Sequence, residues 1–152
     1  MSSVTQQDFN VIGIDYGLKR VGVALGHNIA RLPRPYRVVA NDEELIPHLE
    51  QIIRDENVRH IVLGLPIPLS GQRSEQTKLT GDFGGKLQSF FELPLSYVDE
   101  ALSSAEAENV IGPSSPVQRV DAHAAAAILE RYFAGEGMTK KEYEDRYDSS
   151  KA

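Results

Sequence analysis

The sequence predicts an α/β fold: a mixed five-stranded sheet flanked by helices, in the order β-β-β-α-β-α-β-α-α. Three observations carry this. Two short apolar runs near the start are joined by Gly17-Leu18-Lys19, the signature of a hairpin. Apolar runs then alternate with helical periodicity, as in parallel β-α units. And the 152 residues, 41% hydrophobic and 25% charged, suit one core of ordinary size. The expected result is one antiparallel strand among parallel ones.

Each element has its own signal. Residues 9–15 (FNVIGID) are rich in β-branched and aromatic residues and stop at Tyr16-Gly17, a strand. Residues 20–25 (RVGVAL) alternate around Val21 and Val23 and end at Gly26; residues 36–40 (YRVVA) form a third short strand. Asn41 or Asp42 is placed to cap a helix over 43–56, where Leu45, Leu49, Ile52 and Ile53 make one apolar stripe and Pro47 disturbs the first turns. Residues 60–65 (HIVLGL) are continuously apolar, as a central parallel strand requires. A helix follows over 74–91 despite Gly81, Gly84 and Gly85, then a short strand over 95–98. Ser103 or Ser104 caps a helix to Ile111, stopped by Gly112-Pro113. Ser115-Pro116 starts the last helix, which runs to about Phe133 through four consecutive alanines. We place a single domain at 9–135 and a polar C-terminal tail at 136–152, frayed helix or coil.

Composition excludes several classes. With no cysteine there is no disulfide framework, Cys-based zinc site or cysteine nucleophile. No apolar run approaches the roughly 20 residues that span a bilayer, and residues 1–10 lack a signal-peptide core, so a cytoplasmic protein without membrane contact is expected. The formal charge of −6 argues against an indiscriminate nucleic-acid coat. That charge is uneven. Residues 11–39 are basic, with Lys19, Arg20, Arg31, Arg34 and Arg37 against Asp15, whereas 40–60 and 99–110 are acidic. The basic segment is suited to phosphates.

Three acids stand at chemically suggestive places. Asp15 ends the first strand, Glu100 follows the last, and Asp121 lies in the first turns of the final helix. In an open α/β sheet, strand ends and helix starts converge on one crevice. Three carboxylates brought together need counter-charge, which hard oxygen-seeking cations such as Mg²⁺ or Mn²⁺ supply. Two such ions about 4 Å apart activate water and stabilise a leaving alkoxide, which is phosphodiester chemistry. Such loading would also offset half or more of the formal charge.

The motifs also have a family likeness. IGIDYGLKRVGVA (12–24) resembles the opening motif of the YqgF/RuvX family, whose members are described as Holliday junction resolvases and as nucleases that mature the end of pre-16S ribosomal RNA. IVLGLP (61–66) looks like that family's central strand and loop, VDEALS (98–103) like its Asp-Glu-Arg-Leu-Ser/Thr motif, and VDAHAAAAILE (120–130) like its final helix. The four blocks occur in the family's order. The resemblance implies a ribonuclease H-like fold. It carries Asp15, Glu100 and Asp121 over as catalytic, metal-holding acids, and implies metal-dependent cleavage of structured RNA or branched DNA by a monomer or homodimer. The chain departs from the pattern at Ala101, in place of arginine, at Leu18, in place of threonine, and in the 66–73 loop, which lacks an asparagine.

With a nuclease site at Asp15, the expected phosphate-contacting residues are Lys19, Arg20, Arg34, Arg73, Lys78 and Arg119. His123 is offset by about 200° from Asp121 on a helix and reads as a surface or packing residue; a distorted helix start would instead let it serve as a fourth ligand or proton carrier. Tyr132 and Phe133 read as core. The expected function is 5′-end maturation of pre-16S rRNA, Holliday junction resolution, or both. The alternative is a catalytically weak nucleic-acid-binding module of ribosome assembly or transcription, motivated by Ala101 and the altered loop. A third possibility, an ATP-handling protein of the actin and sugar-kinase type, would need a second phosphate loop that these residues lack.

Overall fold

A computed structural model describes residues 8–66, 75–99 and 117–147, without the side chains of 117–121, 144, 146 and 147. Five strands form one sheet: β1 (Asn10–Tyr16), β2 (Arg20–His27), β3 (Arg34–Ala40), β4 (Val58–Leu65) and β5 (Leu95–Asp99). Their spatial order is β3-β2-β1-β4-β5. β2 is antiparallel to both β1 and β3, while β1, β4 and β5 run parallel. The one reversed strand is thus β2, as the hairpin signal requires. The described helices are α1 (Leu45–Asp55), α2 (Glu75–Phe91), α3 (Val117–Arg131) and α4 (Lys140–Tyr147), with a π-helical turn over Tyr132–Glu136 after α3. The expected helix at 103–111 and the caps Ser115-Pro116 lie outside the described residues.

The period of two along each strand sorts side chains onto two faces. Ile12, Ile14, Val21, Val23, Ile61, Leu63 and Tyr97 share a core with Leu45, Leu49 and Ile52 of α1 and Phe83 and Leu87 of α2. Burial of each such side chain contributes about 1.5–3 kcal/mol. The opposite face carries Val11, Ala24, Val62 and Val98 and packs against Ala125, Ile128 and Leu129 of α3.

Several local outcomes have clear causes. α1 starts at Leu45 rather than 43, and neither proposed cap acts as one. Asp42 Oδ1 accepts from the Glu44 amide in a short turn (2.9 Å), while the Asn41 amide group donates to the Gly17 carbonyl (2.7 Å), latching the hairpin. α2 tolerates its glycines because Gly84 is required. A Cβ there would lie 2.7 Å from the Tyr97 hydroxyl, whereas Gly81 and Gly85 face open space. Beyond Gly137, Met138 pairs with Tyr97 by two backbone hydrogen bonds at the β5 edge (2.7 and 2.8 Å). Met138 and Tyr143 are both buried in the core, so residues 138–143 cover an otherwise open edge strand.

Candidate functional site: the carboxyl edge of the sheet

Ile14, Leu63 and Tyr97 stand level across the three parallel strands. Asp15 is therefore one residue past that line, at the edge where β1, β4 and β5 all end. It is half-buried, and its neighbour on β2 is Gly22, which places no side chain beside it. By alternation with Val11 and Gly13, it belongs to the face that α3 covers.

The direction of α3 decides what else reaches this edge. A Cβ on Gly13 would lie 2.6 Å from Leu129 Cγ and 2.8 Å from the Ala125 carbonyl, so helix and strand are in contact here. One turn later, a Cβ on Gly26 would lie 2.7 Å from the Phe133 ring, and Gly26 pairs with Val11. Advancing along α3 thus moves back along β1, and the two run antiparallel. Position 121 is one turn before Ala125 in the same helical row, which brings the backbone there toward the level of Asp15. The side chains of Asp121 and Arg119 lie outside the described residues, as do Glu100 and Arg73. Glu100 directly follows Asp99, the last residue of β5, which pairs with Leu65 at the same edge. Among the described residues no three His, Asp or Glu side chains cluster; of the three candidate acids, only the Asp15 side chain is described.

The other edge features are firm. Tyr16 stacks on Phe83 of α2 (centroids 4.2 Å apart), and the Gln76 amide group donates to the Tyr16 carbonyl (3.5 Å). Thr77 donates to the Pro66 carbonyl at the end of β4. The start of α2, with exposed Lys78, is thereby fixed at this edge. Lys19 is exposed and Arg20 half-buried beside the hairpin turn, where Leu18 is 66% exposed. Arg34 and Arg37 are exposed on the outer strand β3, with guanidinium carbons 5.8 and 5.0 Å from the Tyr36 ring centre. Tyr36 in turn donates to Glu56 (2.9 Å). Lys19 and Arg20 thus stand near Asp15, and Arg34 stands toward the opposite edge. His123 is exposed.

A reversed second strand, three parallel strands ending at one edge and a helix laid antiparallel across the first define a ribonuclease H-like fold. The solved structures agree in fold. The chain matches Thermus thermophilus RuvC in complex with a Holliday junction substrate (TM-score 0.55, 15% identity, 86% of this chain and 98% of that one). It also matches the yeast mitochondrial Holliday junction resolvase (TM-score 0.52, 10% identity, 93% and 82%). The chain belongs to the RuvX family, described as Holliday junction resolvase, whose family model matches residues 9–135. Curated relatives are named "Putative pre-16S rRNA nuclease". One from Paraburkholderia phymatum is 35% identical over 138 residues, covering 89% of this chain and 91% of its own. One from Hydrogenovibrio crunogenus is 37% identical over 125 residues, covering 81% and 92%. Among the described residues no helix is long and apolar enough to cross a membrane.

Proposed function

We propose that this chain is a divalent-metal-dependent nuclease that hydrolyses phosphodiesters in structured nucleic acid, with maturation of the 5′ end of pre-16S rRNA as its principal task and junction resolution as the second activity of the same site. The observation that carries this is the position of Asp15: half-buried at the carboxyl end of β1, beside a glycine, on the face that antiparallel α3 crosses. Family membership and the names of the relatives support the same reading.

Asp15, Glu100 and Asp121 would hold Mg²⁺ or Mn²⁺ in this proposal, since an all-carboxylate donor set suits hard cations. When bound, the ions supply Lewis-acid stabilisation of the attacked phosphate and its leaving oxygen. The protein's own part is positional. Pairing with Gly22 of β2 holds Asp15 itself, and the ladder to β4 holds Ile14 just before it, so the carboxylate is positioned before substrate arrives. Lys19 and Arg20 at the hairpin, and Lys78 at the start of α2, attract the flanking phosphates, with Arg73 and Arg119 assigned the same role. Arg34 and Arg37, which pair with Leu25 and Val23 on the other face of the sheet, add attraction from beyond the β3 edge.

The test is a substrate panel under Mn²⁺: a precursor RNA with its 5′ extension, a four-way DNA junction, and single- and double-stranded controls. Preferred cleavage of the precursor RNA supports the assignment. Binding without cleavage of any substrate would instead favour a nucleic-acid-binding module.

A further inference from the structure

A cavity of about 400 Å³ opens at the other end of the same helix, and the nuclease reading leaves it unused. Its walls are Phe9 and Val11 at the start of β1, Ser96 on β5, Tyr132 and Phe133 after α3, and Arg31 at the mouth. Val11 and Asp15 are four residues apart on β1, so the cavity stands about 13 Å from the candidate catalytic edge.

The cavity is built rather than left over. Its two central rings rest where glycines admit them: a Cβ on Gly26 would lie 2.7 Å from Phe133, and one on Gly137 would lie 2.9 Å from Tyr132. The rings meet at 5.6 Å and 57°, and Tyr132 also contacts His60, whose ring is hydrogen-bonded to Ser96 (2.9 Å). The loop bearing Arg31 is fixed as well. Asn28 and Phe9 exchange hydrogen bonds (2.9 and 3.1 Å), and His27 Nδ1 accepts from the Ile29 and Ala30 amides. Arg31 itself is held at φ 57, a left-handed conformation costly for a residue with a Cβ. It is exposed, acts electrostatically on the Tyr132 hydroxyl, and forms no ion pair among the described residues.

Charge decides the orientation of an occupant. Glu142 lines the cavity, and the negative end of the α3 dipole faces it, so an anion does not belong inside. A neutral aromatic ring does, with any anionic group outside on Arg31. A nucleotide has this form, a neutral ring with a phosphate held to one side. Arg20, which pairs with Ala40, stands on the same face of the sheet as Val11 and Asp15 and carries the positive charge on to the edge that holds Asp15.

We propose that this cavity is a nucleotide subsite, in which a base from a single-stranded stretch of the nucleic-acid substrate lies against Tyr132 and Phe133 while its phosphate rests on Arg31. The identity of that strand as substrate rests on the nuclease reading. The subsite would hold a flanking nucleotide at a fixed distance from the scissile bond.

The test uses the full chain carrying Asp15→Asn, without added metal, so binding is read independently of cleavage. AMP, adenosine, ribose 5-phosphate and a single-stranded RNA hexamer are titrated and followed by amide NMR shifts. AMP should shift the amides of Phe9, Ser96, Gly135 and Gly137. Ribose 5-phosphate should bind at least about tenfold more weakly, since base stacking is lost. Arg31→Ala should weaken AMP about fivefold and adenosine not at all. The hexamer should shift the same amides and bind at least about tenfold more tightly than AMP. Equal binding of AMP and ribose 5-phosphate, or no shift at the cavity, overturns the subsite. A hexamer no tighter than AMP assigns the cavity to free nucleotide and overturns its link to the substrate strand.

Discussion

Replacement of Gly13 by alanine tests the helix-on-strand contact that aligns the candidate site. The added Cβ would sit 2.6 Å from Leu129 Cγ and 2.8 Å from the Ala125 carbonyl oxygen. The leucine can rotate away at some cost, but the carbonyl is helix backbone, so α3 itself has to move. Overpacking of this kind costs about 1–3 kcal/mol. For a domain of this size, each kcal/mol lowers Tm by about 2–4 °C. Gly13→Ala should therefore lower Tm by roughly 2–12 °C, measured by calorimetry or circular dichroism. Cleavage should fall by more than the folded fraction accounts for, because position 121 travels with α3. Gly81→Ala is the matched control. Its Cβ meets nothing within 4 Å, and alanine is the better helix former by about 0.5–1 kcal/mol. That variant should gain a few degrees. A Gly13→Ala protein as stable and active as the parent would refute the close contact and the alignment derived from it.

Other perturbations read other parts of the fold. Burial pushes the His60 pKa below its ordinary 6.5. As pH falls, the unfolded chain takes up that proton first, so His60 contributes stability above about pH 6.5 that is lost as pH drops through the folded value. His60→Gln should flatten the fall of Tm between about pH 7 and 5, and an unchanged slope would contradict this. Thr139 and Glu142 form a reciprocal cap at the start of α4: Thr139 Oγ1 accepts from the Glu142 amide (3.1 Å), and Glu142 Oε1 accepts from the Thr139 amide (2.8 Å). Thr139→Ala should cost about 1 kcal/mol and speed hydrogen exchange at Met138, which the cap helps hold against β5. Replacing Arg34 and Arg37 together by glutamine should reduce the slope of log affinity against log salt by up to about two units on structured RNA. An unaltered slope would remove β3 from the binding face.

The sheet was legible because its signals are local. Gly17-Leu18-Lys19 marks the hairpin, and the continuous apolar run of 60–65 marks a central strand; both are realised. Strand β3 extends back to Arg34, beyond the start expected at Tyr36, because an exposed edge strand needs no apolar alternation. Asn41 looked like a helix cap by type, but its amide reaches the Gly17 carbonyl, a partner that exists only once the hairpin has folded. Met138 and Tyr143 are two core anchors in a segment whose charge conceals them. At the candidate site, Asp15 could be read because a strand ends there. The reason for Gly13, two residues earlier, could not, because it lies in a helix far along the chain. The cavity at the other pole was least legible of all: it is assembled from the starts and ends of five separate segments, and Tyr132 and Phe133 read as ordinary core.

The most direct test of the central claim is single-turnover cleavage of a precursor RNA under Mn²⁺ by the parent chain and by Asp15→Asn, with folding checked by Tm. Loss of the Asp15 carboxylate removes a metal-holding group worth several kcal/mol at the transition state, about a thousandfold or more in rate. The account predicts that loss at nearly unchanged RNA affinity and Tm. Cleavage by Asp15→Asn at the parental rate would contradict it.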